Sequence, residues 1–401
     1  MYFPRSTDKR SQDRSFVSNT TDVSSTVEDI WRAAKAGDIE ALVALIYEGE
    51  HIHPHTGNQE SIFAPDFTTS SIVNIKDSEG KTPLHYAAIG GHDVAIRILV
   101  DAKADVDARD KNSRGNAHMT ALHHASAHGH IKAVEELLEV KADVDARDSS
   151  FYGQPNMSSL HYSAKGGHSA VSRILIDNKA TLDFTDGFRK TPLHYAALQG
   201  DHLTIGFLVD AKANLDSKDT SQSTALHHAV DRGHYAAVQI LVNAKADVNT
   251  RDKSLATPLH LSLVPITPVR PCNAASHKLI TRTLIDAQAC VNARDRHGNT
   301  PFFNALRFRL GPAMLSLVKS KALINTIDHL KRAPLHYAAE YGNPAIVELL
   351  INADAHVDVT DGDDETALHI ASRLGFTDVI CVLLSPSVKF DDVFSQNLRF
   401  Y

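Results

Sequence analysis

DSEGKTPLHYAAIGGHDVAIRILVDAKADVDARD, residues 77–110, decides the fold. Thr82 is a good cap for a following helix, and Pro83 suits the first helical position, where its missing N–H costs nothing. Gly90-Gly91 breaks that helix after little more than two turns. A second helix follows, with Ala95, Ile96, Leu99 and Val100 on one face as an i, i+1, i+4, i+5 stripe. Through Ala104-Asp105-Val106-Asp107 the chain becomes extended and ends at Asp110. The unit is therefore helix, turn, helix, finger. Helices this short are marginal alone and need neighbours to cover their apolar sides.

Those neighbours are written along the chain. Asp77, Asp110, Asp148, Asp186, Asp219, Asp252, Asp295, Asp328 and Asp361 recur, five intervals being 33 residues and the others 38, 38 and 43. A fixed period in that range marks a solenoid, in which each unit buries its apolar face against the next. The turn signature returns as TALHHASAHGH (120–130), TPLHYAALQGD (191–201), TALHHAVDRGH (224–234), APLHYAAEYGN (333–343) and TALHIASRLGF (366–376). Degenerate copies are SSLHYSAKGGH (158–168), TPLHLSLV (257–264) and TPFFNALRF (300–308). On these nine copies the chain resembles the ankyrin-repeat family over about nine-tenths of its length, roughly Val27 to Leu384. The expected fold is all-α: a solenoid of about ten helix-turn-helix units with β-hairpin-like fingers and a concave inner face. Residues 28–384 form it, with insertions near 50–72 and 265–276.

Ahead of it, residues 1–27 are polar and are expected to be a disordered tail, because they cannot bury enough surface to offset ordering. Helical patterning starts at Val27, where a first helix pair turning at Gly37-Asp38 caps the stack. Residues 385–401 carry Phe390, Val393, Phe394, Phe400 and Tyr401, a tail or a cap over the last unit. Prolines 265, 268 and 271 make the second insertion a loop. In the next unit Phe302-Phe303 replaces Leu-His and Arg307 to Arg309 replace the glycine turn, which predicts a change of curvature or a weak joint.

The family usually closes its second helix with glycine. Here Lys103, Lys141, Lys179, Lys212, Lys245, Gln288, Lys321 and Asp354 stand there. If the turn keeps its left-handed backbone, each costs about 1 kcal/mol, and positive φ is predicted at most of them.

Composition narrows the function. Lys plus Arg total 41 against 48 Asp plus Glu, a formal charge of −7, which argues against nucleic-acid binding. The three cysteines, Cys272, Cys290 and Cys381, are far apart and suit a reducing compartment. No apolar run approaches a membrane span, and the N-terminus lacks the apolar core of a secretory signal. The expectation is a monomer in the cytosol or the nucleus.

Most of the 24 histidines fall in the framework. His85, His123, His161, His194, His227, His260, His336 and His369 hold the fourth position of the TPLH turn, where the resemblance implies a clip to neighbouring backbone. His92, His130, His168 and His234 open second helices after glycine. His51, His53 and His55 could share one side of an extended loop and suit a transition metal, though nothing rigid frames them. His124 and His128 share a helix face at i, i+4 but lack the glutamate of a zinc protease. Gly80-Lys81-Thr82 imitates the end of a phosphate loop, yet Ile75 stands where the earlier glycine belongs. No catalytic set and no cofactor motif stands outside the repeat pattern, so an enzyme is not expected.

Recognition then falls to positions that packing leaves free. Two adjacent fingers are lengthened, KNSRGNAHM and SSFYGQPNM. Phe151 and Tyr152 in the second, with Phe188 in the finger after it, are the aromatic types that binding hot spots favour. His128, Lys165, Leu198 and Gln199 are expected on the concave side. The reading is a non-enzymatic scaffold binding a protein partner through finger tips and concave face. A substrate-recruiting adaptor of an enzyme complex, or a bacterial effector acting in a host cell, is the alternative. The resemblance also implies that Asn249, in LVNAKADVN, is a hydroxylation substrate.

Overall fold

Each first helix begins where its sequence says it should. Thr82, extended at φ −91°, precedes a helix over Pro83–Gly90, and Gly91 ends it in the left-handed region at φ 73°. The structure, a computed structural model, describes residues 23–48, 72–111, 118–149, 156–264 and 274–384. Among them twenty α-helices form ten pairs. The capping pair is α1 (Val23–Ala36) and α2 (Ile39–Val43), the latter widening into a π-type turn over Ala44–Glu48. Units two to five are α3 (Pro83–Gly90) with α4 (Asp93–Asp101), α5 (Ala121–His128) with α6 (Ile131–Glu139), α7 (Ser159–Gly166) with α8 (Ser169–Asp177), and α9 (Pro192–Gln199) with α10 (His202–Asp210). Units six to ten are α11 (Ala225–Asp231) with α12 (Tyr235–Asn243), α13 (Pro258–Leu261) with α14 (Ala274–Asp286), α15 (Pro301–Arg307) with α16 (Gly311–Lys319), α17 (Pro334–Glu340) with α18 (Pro344–Asn352), and α19 (Ala367–Leu374) with α20 (Thr377–Leu384).

First helices pack on first helices and second on second, the loosest step being α16 against α18. The apolar stripes meet in one continuous core that runs from Ile30 to Leu383. Leu84, Ile96 and Leu99 of the second unit are fully buried, as are their counterparts Leu122, Val134 and Leu137 in the third. Each such side chain contributes about 2 kcal/mol. Coverage by neighbours on both sides is what turns nine-residue helices into a stable body.

Three hydrogen-bond ladders run alongside the core. The repeat aspartate clasps its own finger: Asp77 Oδ1 accepts from the N–H groups of Glu79 and Lys81, both at 2.8 Å. Finger tips then pair with the next tip, as Thr220 N–H does with the Phe188 carbonyl at 2.9 Å and Lys253 N–H with Ser221 at 2.9 Å. Behind the second helices, Asn74, Asp107, Asp145, Asp183, Asp216, Asn249, Asn292 and Asn325 each accept a backbone N–H from the following unit. The fingers are turns rather than regular strands among the described residues, where one bridge pairs Arg147 with Ser158.

Two boundaries differ from the sequence reading. The first helix starts at Val23, not Val27, because a helix's first turn tolerates the polar Ser24, Ser25 and Thr26. The helix α14 starts at Ala274, inside the stretch read as loop to residue 276, since the last of the three prolines is Pro271. The first insertion, both tails and the tips of the two long fingers lie outside the described residues. The turn after the second helix is left-handed at all eight expected positions, from φ 63° at Lys321 and Asp354 to 70° at Lys103 and Lys141.

Candidate functional site

The framework histidines are consumed by the scaffold. Thr82 N–H donates to His85 Nδ1 at 3.1 Å, so Nε2 carries the proton and donates to the Met119 carbonyl of the next unit at 3.0 Å. The same bridge joins His123 to Met157, His161 to Lys190, His194 to Ser223, His227 to Ala256, His260 to Asn299 and His336 to Glu365. A second set points backward: His92, His130, His168 and His234 donate from Nε2 to the carbonyls of Lys35, Ile89, Ala127 and Leu198. These rings lie over the preceding unit's glycine; a Cβ on Gly129, for example, would sit 2.6 Å from His168 Nδ1. Burial, the leading cause, holds His85, His123, His161 and His194 down to a pKa of about 4. They are neutral clips at physiological pH.

Sequence reasoning missed a companion pairing. Where a tyrosine follows the clip histidine, it reaches the free oxygen of its own unit's aspartate: Tyr86 donates to Asp77 at 2.6 Å, Tyr162 to Asp148 at 2.7 Å and Tyr195 to Asp186 at 2.6 Å. In two units histidine replaces tyrosine, with His124 2.8 Å from Asp110 and His228 3.0 Å from Asp219. The signal was present as an Asp-to-Tyr/His spacing that is constant once finger length is allowed for. The environments differ. Burial pushes the Asp148 carboxyl up to about 6 despite its Tyr162 and Met157 donors. Burial acts the same way on Asp110 and Asp219, but His124 in the first case, and His228 with Lys190 in the second, pull them below the usual carboxylate range.

The described members of the predicted binding set do not gather at one point. His128, Lys165, Leu198 and Gln199 share the C-terminal register of the adjacent helices α5, α7 and α9. His128, Lys165 and Gln199 are exposed and Leu198 is half-buried. His128 lies parallel to His130 at 5.8 Å, and the Lys165 ammonium stands 5.8 Å from the Tyr195 ring centre. Phe188, 38% exposed, is on a finger tip at the opposite end of α9, about 12 Å away along an eight-residue helix. Phe151 and Tyr152 lie outside the described residues, as do His51, His53 and His55. The zinc-protease-like pair is spent, since His124 holds Asp110 and His128 Nδ1 donates to the His124 carbonyl at 2.9 Å. Asn249 is exposed but engaged, accepting from Cys290 N–H at 2.7 Å. Gly80 sits in a finger turn at φ 68°.

A family profile described as Ankyrin repeats (3 copies) matches residues 30–148, 160–252 and 309–393, and a second, Ankyrin repeats (many copies), matches 122–176. The chain belongs to the ankyrin-repeat family, whose members generally serve as protein-interaction modules. No curated protein matches the chain. Among the described residues no helix is long and apolar enough to cross a membrane.

Proposed function

We propose that this protein is a non-enzymatic interaction scaffold that binds a protein partner, as a monomer in the cytosol or nucleus, through its finger tips and the inner face of its first helices. The observation that carries the reading is the consumption of the framework: the repeat aspartates are committed to their own fingers, and the clip histidines and back-ladder Asp and Asn to bridges between units. What is left free is a row of variable side chains presented on a rigid support. Rigidity keeps the ordering cost of binding low on this side of a complex. The proposed contact residues are Phe151, Tyr152, Phe188, His128, Lys165, Leu198 and Gln199.

The test is affinity capture with the full chain and with a Phe151→Ala, Tyr152→Ala, Phe188→Ala variant, alongside size measurement of the free protein. Partners recovered by the first and lost from the second are expected. Equal recovery by both would remove this face from the proposal.

A further inference from the structure

Unit eight breaks the pattern where it can be seen. At the end of the first helix, eight units place a glycine with positive φ: Gly37, Gly91, Gly129, Gly167, Gly200, Gly233, Gly342 and Gly375. Unit eight places Arg309 there, at φ 56°. A long side chain held in a backbone conformation that its counterparts reserve for glycine is strained, and strain of that kind collects where a side chain has a task.

The surroundings say what task. The Arg309 guanidinium lies 4.9 Å from the centre of the Tyr341 ring in the next unit, and that of Arg307 lies 5.7 Å from the Phe308 ring. Burial and Glu340 hold the Tyr341 phenol above its ordinary pKa against the pull of Arg307, Arg309 and Arg332, so the three cations converge on it. Arg332 is already engaged by Glu340 at 2.9 Å and Asp361 at 3.2 Å. Arg307 and Arg309 are exposed and meet no carboxylate within ion-pair distance among the described residues. Residues 290–339 carry eight Lys and Arg against two acids, Asp295 and Asp328, a net +6 within a chain of net −7. A guanidinium stacked on an aromatic plate keeps its in-plane N–H donors free, and the group that matches that fork is a carboxylate.

We propose that Arg307 and Arg309, shelved on Phe308 and Tyr341, form a docking site for an acidic segment of a partner protein. The inference rests on the interaction-module reading above and adds the chemistry of the ligand. Carboxylates, rather than the phosphates of a nucleic acid, fit a chain whose remaining surface is strongly acidic and would repel a polyanionic backbone of any length.

The probe is a fluorescein-labelled hexaglutamate peptide titrated into the full chain at low and moderate salt. Hexaglutamine and hexathymidylate carrying the same label serve as comparisons. Binding of hexaglutamate that weakens with salt is expected, with hexaglutamine silent and hexathymidylate weaker. Arg307→Gln with Arg309→Gln should weaken it by about tenfold. The charge-matched Lys132→Gln with Arg282→Gln, on outer helices, should change it by less than about twofold. Arg309→Gly is the discriminating variant: it should raise the melting temperature by relieving the backbone while weakening the peptide. No hexaglutamate binding, equal losses in both double variants, tighter binding of hexathymidylate, or full affinity in Arg309→Gly would each overturn the site. Such a result with finger-dependent partner capture intact would leave the scaffold reading standing, whereas failed capture with peptide binding intact would not.

Discussion

Lowering the pH from 7 to 5 should open the N-terminal half of this stack before the rest. Four clip imidazoles, His85, His123, His161 and His194, are almost completely buried and drop from 6.5 to about 4, burial being the main cause in each. The unfolded chain takes up these protons below about pH 6.5, whereas the folded chain refuses them until about pH 4. Their stabilising contribution is therefore complete above 6.5 and is lost as pH falls through that window. By pH 5 each imidazole has given up about 2 kcal/mol.

Asp148 works in the opposite direction. With its folded pKa raised from 3.8 to about 6, the folded state holds a proton that the unfolded state has released, which returns about 1 kcal/mol at pH 5. The net loss from these five groups is about 6 to 7 kcal/mol and falls in units two to five, while burial lowers His227 and His260 of units six and seven in the same direction. A stack opens unit by unit, so the assay should be local: amide hydrogen exchange at pH 7, 6 and 5, corrected for intrinsic rates, beside urea titrations at the same pH values. His161→Gln, which cannot ionise, should lower stability at pH 7 yet flatten its pH dependence by about a quarter. A urea midpoint that does not move between pH 7 and 5, or loss of protection spread evenly over the chain, would refute the reasoning.

Two further outcomes follow from unit eight and its neighbours. Thr300 Oγ1 is buried without a partner, because Phe303 stands where other units supply an imidazole, whereas Thr257 Oγ1 lies 2.9 Å from His260 Nδ1. Thr257→Val should cost about 1 kcal/mol and Thr300→Val less than about 0.5, read by thermal melting, and equal costs would contradict the account. The four-residue α13, the missing clip at Phe303 and the loose step from α16 to α18 predict the fastest amide exchange of the middle units between Thr250 and Asp328, and uniform protection there would dismiss a joint.

Much of this was legible in the residues because a repeat states its rules nine times. Thr82 and Pro83 announced a helix start, Gly91 its end, and the lysines in the glycine position announced a left-handed turn that all eight sites adopt. What stayed hidden was pairing across space. Nothing local in TPLHY reveals that the tyrosine returns to its own unit's aspartate while the histidine reaches the next unit's backbone, since both depend on how neighbouring units are set. The Arg307–Arg309 stretch was visible as an irregularity, but its meaning required the position of Tyr341 in the following unit. Phe188 lies on a finger a full helix length from Leu198 and Gln199, a separation that their places in the sequence do not display.

The departures in unit eight fall together. Within ten residues the unit leaves the Thr300 hydroxyl unpaired, gives up its clip at Phe303 and strains its backbone at Arg309. In a globule with one core, three such losses would threaten the whole. In a stack the cost stays with one unit and its two interfaces, and the paired ladders on either side hold it in register. The architecture thus permits a locally weak unit, and weakness is tolerated where a side chain gains something by it. Arg309 gains a place over Tyr341 that glycine could not fill. Of the eight glycines at that position, Gly37, Gly91, Gly129, Gly200 and Gly342 are roofed by a histidine or phenylalanine from the next unit, and a side chain there would collide with the roof at under 3 Å. Unit nine offers Tyr341 to Arg309 as a platform instead of a roof, so this turn holds a charged side chain without that collision.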